Sequence, residues 1–172
     1  MELGPDQGTI KVRTGVAGSA SRMGHRLVLN VEDWSAEVEM TDGAPVSVHF
    51  RADLGSLQVE SGTGGVTPLT VVDRQVIRRN AGKVLDSGEY PEVTFSCTEV
   101  AVADGAMSVS GDLTIHGQTQ PLTTNLDLAG TRVTASIPVV QSDFGIRPYS
   151  AMLGQLKVSD EVTVDLDITV PG

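Results

Sequence analysis

Cysteine is almost missing from this chain of 172 residues. Cys97 is the only one, which excludes an intrachain disulfide and a cysteine-built metal cluster. Basic residues are also few, 12 Lys and Arg against 22 Asp and Glu, for a formal net charge of -10. A nucleic-acid partner is excluded on that ground, because phosphate binding relies on a basic surface that releases counterions. Electrostatic docking of the whole molecule on an anionic membrane is disfavoured for the same reason, and the simplest reading of the acidity is solubility. No apolar run approaches the length of a membrane span, so stable membrane insertion is not expected. The first ten residues, M-E-L-G-P-D-Q-G-T-I, carry neither a basic stretch nor an apolar run. A cytoplasmic protein is therefore expected, with an exported protein trimmed of its leader as the alternative.

What is present favours strands. Valine and threonine are abundant, and 19 glycines punctuate the chain at turn-like intervals. The 40% apolar content suffices for one core, so residues 1–172 are expected to form a single domain. The stretch Gly111 to Asp127 sets the pattern. Leu113 and Ile115 alternate with polar residues, as do Leu122, Leu126 and Leu128, and the polar run Gly117-Gln118-Thr119-Gln120 joins the two as an antiparallel hairpin. Similar alternation marks Ile10 and Val12, Val46 to Ala52, Val93 to Cys97, Val133 to Val139, and Val162 to Val170. Leu27, Leu29 and Val31 share one parity, whereas Trp34, Ala36, Val38 and Met40 share the other. The change at Glu32-Asp33 predicts a bulge or a sharp bend, as barrels use to turn corners. The run Ser61-Gly62-Thr63-Gly64-Gly65 predicts a mobile end to the strand begun by Leu57 and Val59. Pro138, on the outward parity of its strand, predicts an edge or a bulge.

One helix is expected, capped by Asp73, carrying Ile77, Ala81, Val84 and Leu85 on one face and ending near Gly82. Arg74, Arg78 and Arg79 are expected on its solvated face. Residues 142–158 are irregular yet apolar, as in a loop that covers something. The sum is an all-β chain of about eight strands with one short helix, an antiparallel barrel or sandwich. A barrel of that size is either filled by side chains or holds one small ligand.

Catalytic signals are weak. Asp143-Phe144-Gly145 matches the magnesium tripeptide of kinases, but the glycine-rich loop, the lysine and the H-R-D segment are missing. Asp143 is expected to bond backbone at a turn. Ser142, Ser150 and Cys97 have no nucleophile context, and Cys97 is expected to be a buried structural thiol. His25, His49 and His116 show no metal-ligand spacing. His49 and His116 are expected to face outward, and His25 to fix a loop by a hydrogen bond. A metal-dependent or hydrolytic enzyme using His25 or His116 is one alternative to a binding protein. A protein-interaction module working through a strand edge near Pro138 is the other.

Four motifs, in order, resemble the YceI-like family. They are Val84-Leu85-Asp86 with Tyr90-Pro91 and Val93-Thr94-Phe95; Gly111-Asp112-Leu113-Thr114-Ile115-His116-Gly117 with Pro121; Ser142-Asp143-Phe144-Gly145-Ile146; and Leu156-Lys157-Val158-Ser159-Asp160-Glu161-Val162. They run from about residue 70 to the end. The N-terminal half is similar in strand pattern and in Gly24-His25. The resemblance implies a lipocalin-like antiparallel β-barrel whose apolar lumen binds a polyisoprenoid or similar amphiphilic lipid, and it does not imply an established enzymatic activity; no catalytic residue, cofactor or metal is expected. It also allows a homodimer. With that expectation, the ligand-binding candidates are Phe50, Phe95 and Met107 on the inward parity, and Phe144, Met152 and Leu153 in the apolar loop. Arg147 is the candidate cation for a phosphate head group and Tyr149 the candidate donor, with Arg26 as second choice for the cation.

Overall fold

A computed structural model describes residues 1–172, the side chain of Thr98 excepted. The strands are β1 (Glu2–Leu3), β2 (Gly8–Arg13), β3 (Val16–Ala17), β4 (His25–Val31), β5 (Trp34–Thr41), β6 (Ala44–Asp53) and β7 (Leu57–Gly64). After the helix α1 (Val71–Val84) come β8 (Glu92–Ala103), β9 (Ala106–Ile115), β10 (Gln118–Ala129) and β11 (Arg132–Val140). The chain closes with β12 (Ser150–Ala151), β13 (Leu156–Val158) and β14 (Glu161–Thr169). Among the described residues, eleven strands form one antiparallel sheet in the order β1-β5-β6-β8-β9-β10-β11-β14-β2-β4-β7, and β12-β13-β3 form a second, smaller sheet.

The large sheet is a barrel of eight long strands, two of them bent. β4 pairs with β7 and β5 with β6, in registers that follow one another: Val31 faces Leu57 and Trp34 faces Ala52. One long hairpin is therefore folded across its middle at Glu32-Asp33 on one strand and Leu54–Ser56 on the other. The fold is held by the Asp53 amide on the Asp33 carbonyl (2.9 Å) and the Asp33 amide on Ser56 Oγ (3.0 Å). One arm of this hairpin pairs with β2 and the other with β8, so the sheet curls back on itself through the bend. The parity change at this point has the expected cause, since each arm must turn its apolar side chains toward one interior.

Glycine sets two of the strand geometries. The β9–β10 connection is a two-residue turn, His116-Gly117, with φ of 55° and 69°. That is the type I′ pattern that suits a twisted hairpin, and Gln118 to Gln120 belong to the strand. Within β9, Gly111 lies opposite Cys97, where β8 carries a bulge. A Cβ there would stand 2.2 Å from the Ser96 carbonyl oxygen, so only glycine lets the two backbones approach this closely.

The helix protects a sheet edge. Thr70 and Asp73 form a capping box: Thr70 Oγ1 accepts from the Asp73 amide, and the Asp73 carboxylate accepts from the Thr70 amide (2.8 Å). Asp73 thus sits inside the first turn with Thr70 as the cap, and the helix runs past Gly82 to Val84. Arg74 donates to the carbonyls of Val59 (2.7 Å) and Glu60 (2.6 Å), and Arg78 to that of Gly55 (2.8 Å). Arg74 thus satisfies acceptors along the free flank of β7 and is half-buried there, whereas Arg78 reaches the preceding turn and stays exposed, as Arg79 does. The run after Leu57 is not a mobile tail either. β7 continues to Gly64, which pairs with His25.

β10 and β11 are paired only over Asp127–Ala129 and Arg132–Thr134, after which they diverge. Pro138 lies beyond that ladder, where its missing amide costs nothing on the β10 side. The flank is not an open edge. The turn Gln141–Phe144 fills the wedge, with Gln120 Nε2 donating to the Asp143 carbonyl (3.0 Å).

Candidate functional site

The inward faces of the strands do not meet. They leave an apolar cavity of about 760 Å³ through the barrel. Leu27, Val48, Phe50, Val109, Leu126 and Val164 are typical of its walls. From α1, Ile77, Ala81, Val84 and Leu85 close one side. Around the cavity the buried side chains gather in three clusters, most of whose members also line it. Trp34 is buried among Leu3, Ile10, Leu29 and Ala36; Phe144 and Ile146 pack on Leu113, Ile137 and Val139; and Cys97 packs with Val109 and Leu126.

Residues 145–158 fold over one end of the cavity. β13 pairs with β3 and with β12, and the Ala20 amide bonds the Gln155 carbonyl at 2.8 Å. Val16, Met23, Tyr149, Leu156 and Val158 thereby face the cavity. Among the described residues the polar part of its lining comprises Thr14, His25, Asn80, Thr124, Thr131, Gln141, Tyr149 and Lys157. The base of this excursion is clasped. Asp160 accepts from the Ser142 amide (2.8 Å) and bonds its hydroxyl, while Gln141 Nε2 donates to the Ser159 carbonyl (3.1 Å). The carboxylate that bonds this turn is therefore that of Asp160, where Asp143 was expected.

Two of the three histidines make loop or turn contacts. His25 Nε2 donates to the Thr67 carbonyl (2.6 Å), fixing the loop ahead of the helix. His116 is half-buried instead of outward-facing. Its ring stands 5.1 Å from that of Tyr90, and Nδ1 bonds the Phe144 carbonyl (3.3 Å). His49 is exposed, as its parity predicts. Among the described residues no three His, Cys, Asp or Glu side chains converge to hold a metal. The electrostatic pairs lie on the outer face. Arg13 and Ser136 bond Asp165, and Arg132 grips Asp167 through two bonds (2.8 and 2.6 Å). The hydrogen bond from Arg13 holds the Asp165 carboxyl below its usual range, and that from Arg132 does the same for Asp167.

Of the ligand-binding candidates, Phe50, Phe95, Met107 and Tyr149 line the cavity. Phe144 is packed into the core, while Arg147, Met152 and Leu153 are exposed on the outside of the cap. Arg26 is exposed as well. Sequence reasoning missed the helix residues Ile77 and Asn80 and the bordering Lys157. The i, i+4 spacing of Ile77 and Ala81 marked the helix face, though nothing in it said that the face looks into a void.

A curled antiparallel barrel, bridged by one helix and enclosing an apolar cavity, defines the class: a lipocalin-like barrel. The YceI-like domain matches residues 6–170, and the chain belongs to that family. A UPF0312 protein of Vibrio campbellii is 41% identical over 51 residues, which are 29% of this chain and 27% of that protein. A UPF0312 protein of Pseudomonas putida is 33% identical over 101 residues, 51% of this chain and 47% of its own length. The matched stretches thus span half or less of these relatives. In fold, the chain is similar to Burkholderia cenocepacia BcnA, with a TM-score of 0.71 at 17% identity over 95% of this chain and 96% of that one. It is also similar to the Campylobacter jejuni YCEI protein, with a TM-score of 0.63 at 15% identity over 81% of each. Among the described residues, no helix is long and apolar enough to cross a membrane.

Proposed function

We propose that this protein binds a polyisoprenoid or similar amphiphilic lipid in its cavity and catalyses no reaction on it. The observation that carries the reading is the unfilled interior, about 760 Å³ walled by aliphatic side chains where a barrel of this size is otherwise packed. A prenyl chain offers dispersion and apolar burial, worth about 25 cal/mol per Å². It needs no ordered polar partners along its length, and the walls supply almost none. The polar end of such a ligand belongs beside the polar lining residues His25, Asn80, Gln141 and Tyr149, near Lys157. A non-catalytic role agrees with the histidines, two of which are held in loop and turn contacts, and with Cys97, which is buried.

Extraction of the purified protein with organic solvent, followed by mass spectrometry, tests the proposal. The expected result is a co-purifying prenyl-chain lipid, or a rise in melting temperature with added prenyl phosphates. Neither lipid nor a shift would defeat the reading.

A further inference from the structure

The cap over the cavity differs in charge from the rest of the molecule. Three segments meet there: residues 15–26, 61–72 and 145–158. β3 pairs with β13, His25 pairs with Gly64, and His25 Nε2 bonds the Thr67 carbonyl. Together they contain Arg22, Arg26, Arg147 and Lys157 and no carboxylate, in a chain with 22 acidic residues. All four cations are exposed, and none has an ion-pair partner among the described residues. Of the acids nearest these segments in sequence, Glu60 is paired with Lys11, Asp73 caps the helix and Asp160 bonds Ser142, while Asp143 and Glu161 are exposed.

The same face exposes apolar side chains. Leu153 is 104% exposed, and Met23, Val66, Val71, Val72 and Met152 are also open to solvent. Met152 and Leu153 have φ of 52° and 55°, a left-handed conformation unfavourable for side chains of this size. The turn spends backbone energy to present two apolar residues to water, at the end of the cavity lined by Met23 and Tyr149. Apolar tips among unpaired cations match an anionic bilayer, where the tips enter the acyl boundary and the cations meet the head groups.

We propose that this face docks the protein on a lipid bilayer bearing anionic head groups, with the capped end of the cavity against the membrane. The proposal rests on the lipid-binding reading for its purpose, though not for its test. The net charge of -10 disfavours a whole-molecule attraction, but within a screening length of the surface the local cations act first.

Flotation with phosphatidylcholine vesicles, with and without phosphatidylglycerol and free of isoprenoid, provides that test. The wild type is expected to float with the anionic vesicles. Leu153→Asp, and separately Arg147→Glu, should each reduce the bound fraction by about tenfold. Circular dichroism and melting temperature should be unchanged in both. Failure of the wild type to float, or equal flotation of wild type and variants, would overturn the proposal. So would a solution dimer that Leu153→Asp abolishes without any flotation, which would assign the face to a second copy. Stabilisation by geranylgeraniol, measured without vesicles, reports on the cavity alone. Docking without that stabilisation would leave the membrane face standing and remove the lipid-binding reading.

Discussion

The His116 imidazole lies 5.1 Å from the ring of Tyr90, tilted by 60°, and its Nδ1 reaches the Phe144 carbonyl. These three residues come from three of the four family motifs, and the fourth is clasped to the third through Asp160 and Ser142. The motifs therefore meet at one end of the barrel and hold one another in place, which explains why they mark the fold. His116→Ala should lower stability by about 1 kcal/mol through the lost ring contact and hydrogen bond. It should leave lipid loading unchanged. Urea unfolding and co-purifying lipid measured on the same preparation check both halves.

Gly111 predicts a larger effect. A Cβ at this position would meet the Ser96 carbonyl oxygen at 2.2 Å and Cys97 Cα at 2.7 Å, both of them backbone atoms that a rotamer change cannot move. Gly111→Ala should destabilise the protein by about 2 kcal/mol or more, the scale of overpacking in a core. Gly43 is the control. It has open space around its Cβ position, yet its φ of 79° makes Gly43→Asn the tolerated change there and Gly43→Val the costly one. Thermal denaturation of the three variants separates close approach from backbone conformation.

Stability should fall in acid. Asp165 and Asp167 have carboxyls held below the usual range, chiefly by hydrogen bonds from Arg13 and Arg132. For a depressed carboxylate the stabilisation is complete above the unfolded value of about 3.9 and is lost as pH falls through the lower folded value. Melting temperature should therefore drop between about pH 4 and the acid limit. Asp165→Asn with Asp167→Asn should flatten that drop and lower the plateau at neutral pH. Both pairs are solvent-accessible, so added salt should shrink the effect.

The outline of the fold was legible because alternation is local. Parity alone located the inward residues of β9 and β10 and the corner at Glu32-Asp33, since a buried face fixes side-chain direction residue by residue. Long-range relations were not legible. Arg74 looks like a solvent-facing helix residue until β7 is known to leave carbonyls free beside it. Ser61 to Gly65 read as loose because glycine lacks a pattern, yet β4 supplies partners for Ser61 to Gly64. The site suffered most. Phe50, Phe95 and Met107 follow from parity, whereas an apolar loop residue such as Phe144 or Leu153 has no periodicity to say whether it points into a core, a cavity or water.

The central claim is that the cavity takes a chain-like apolar ligand, and a chain-length series tests it most directly. Prenyl alcohols of increasing length should bind with rising affinity, each buried CH₂ contributing about 0.8 kcal/mol, until the cavity is full and the gain levels off. Val48→Trp, which places a large ring on a half-buried wall position, should fill space, preserve the fold and move the plateau to shorter chains. Affinity that rises and then levels off, with an earlier plateau in Val48→Trp, is the predicted result. No binding at any length, or binding that is indifferent to both length and Val48→Trp, would contradict the account.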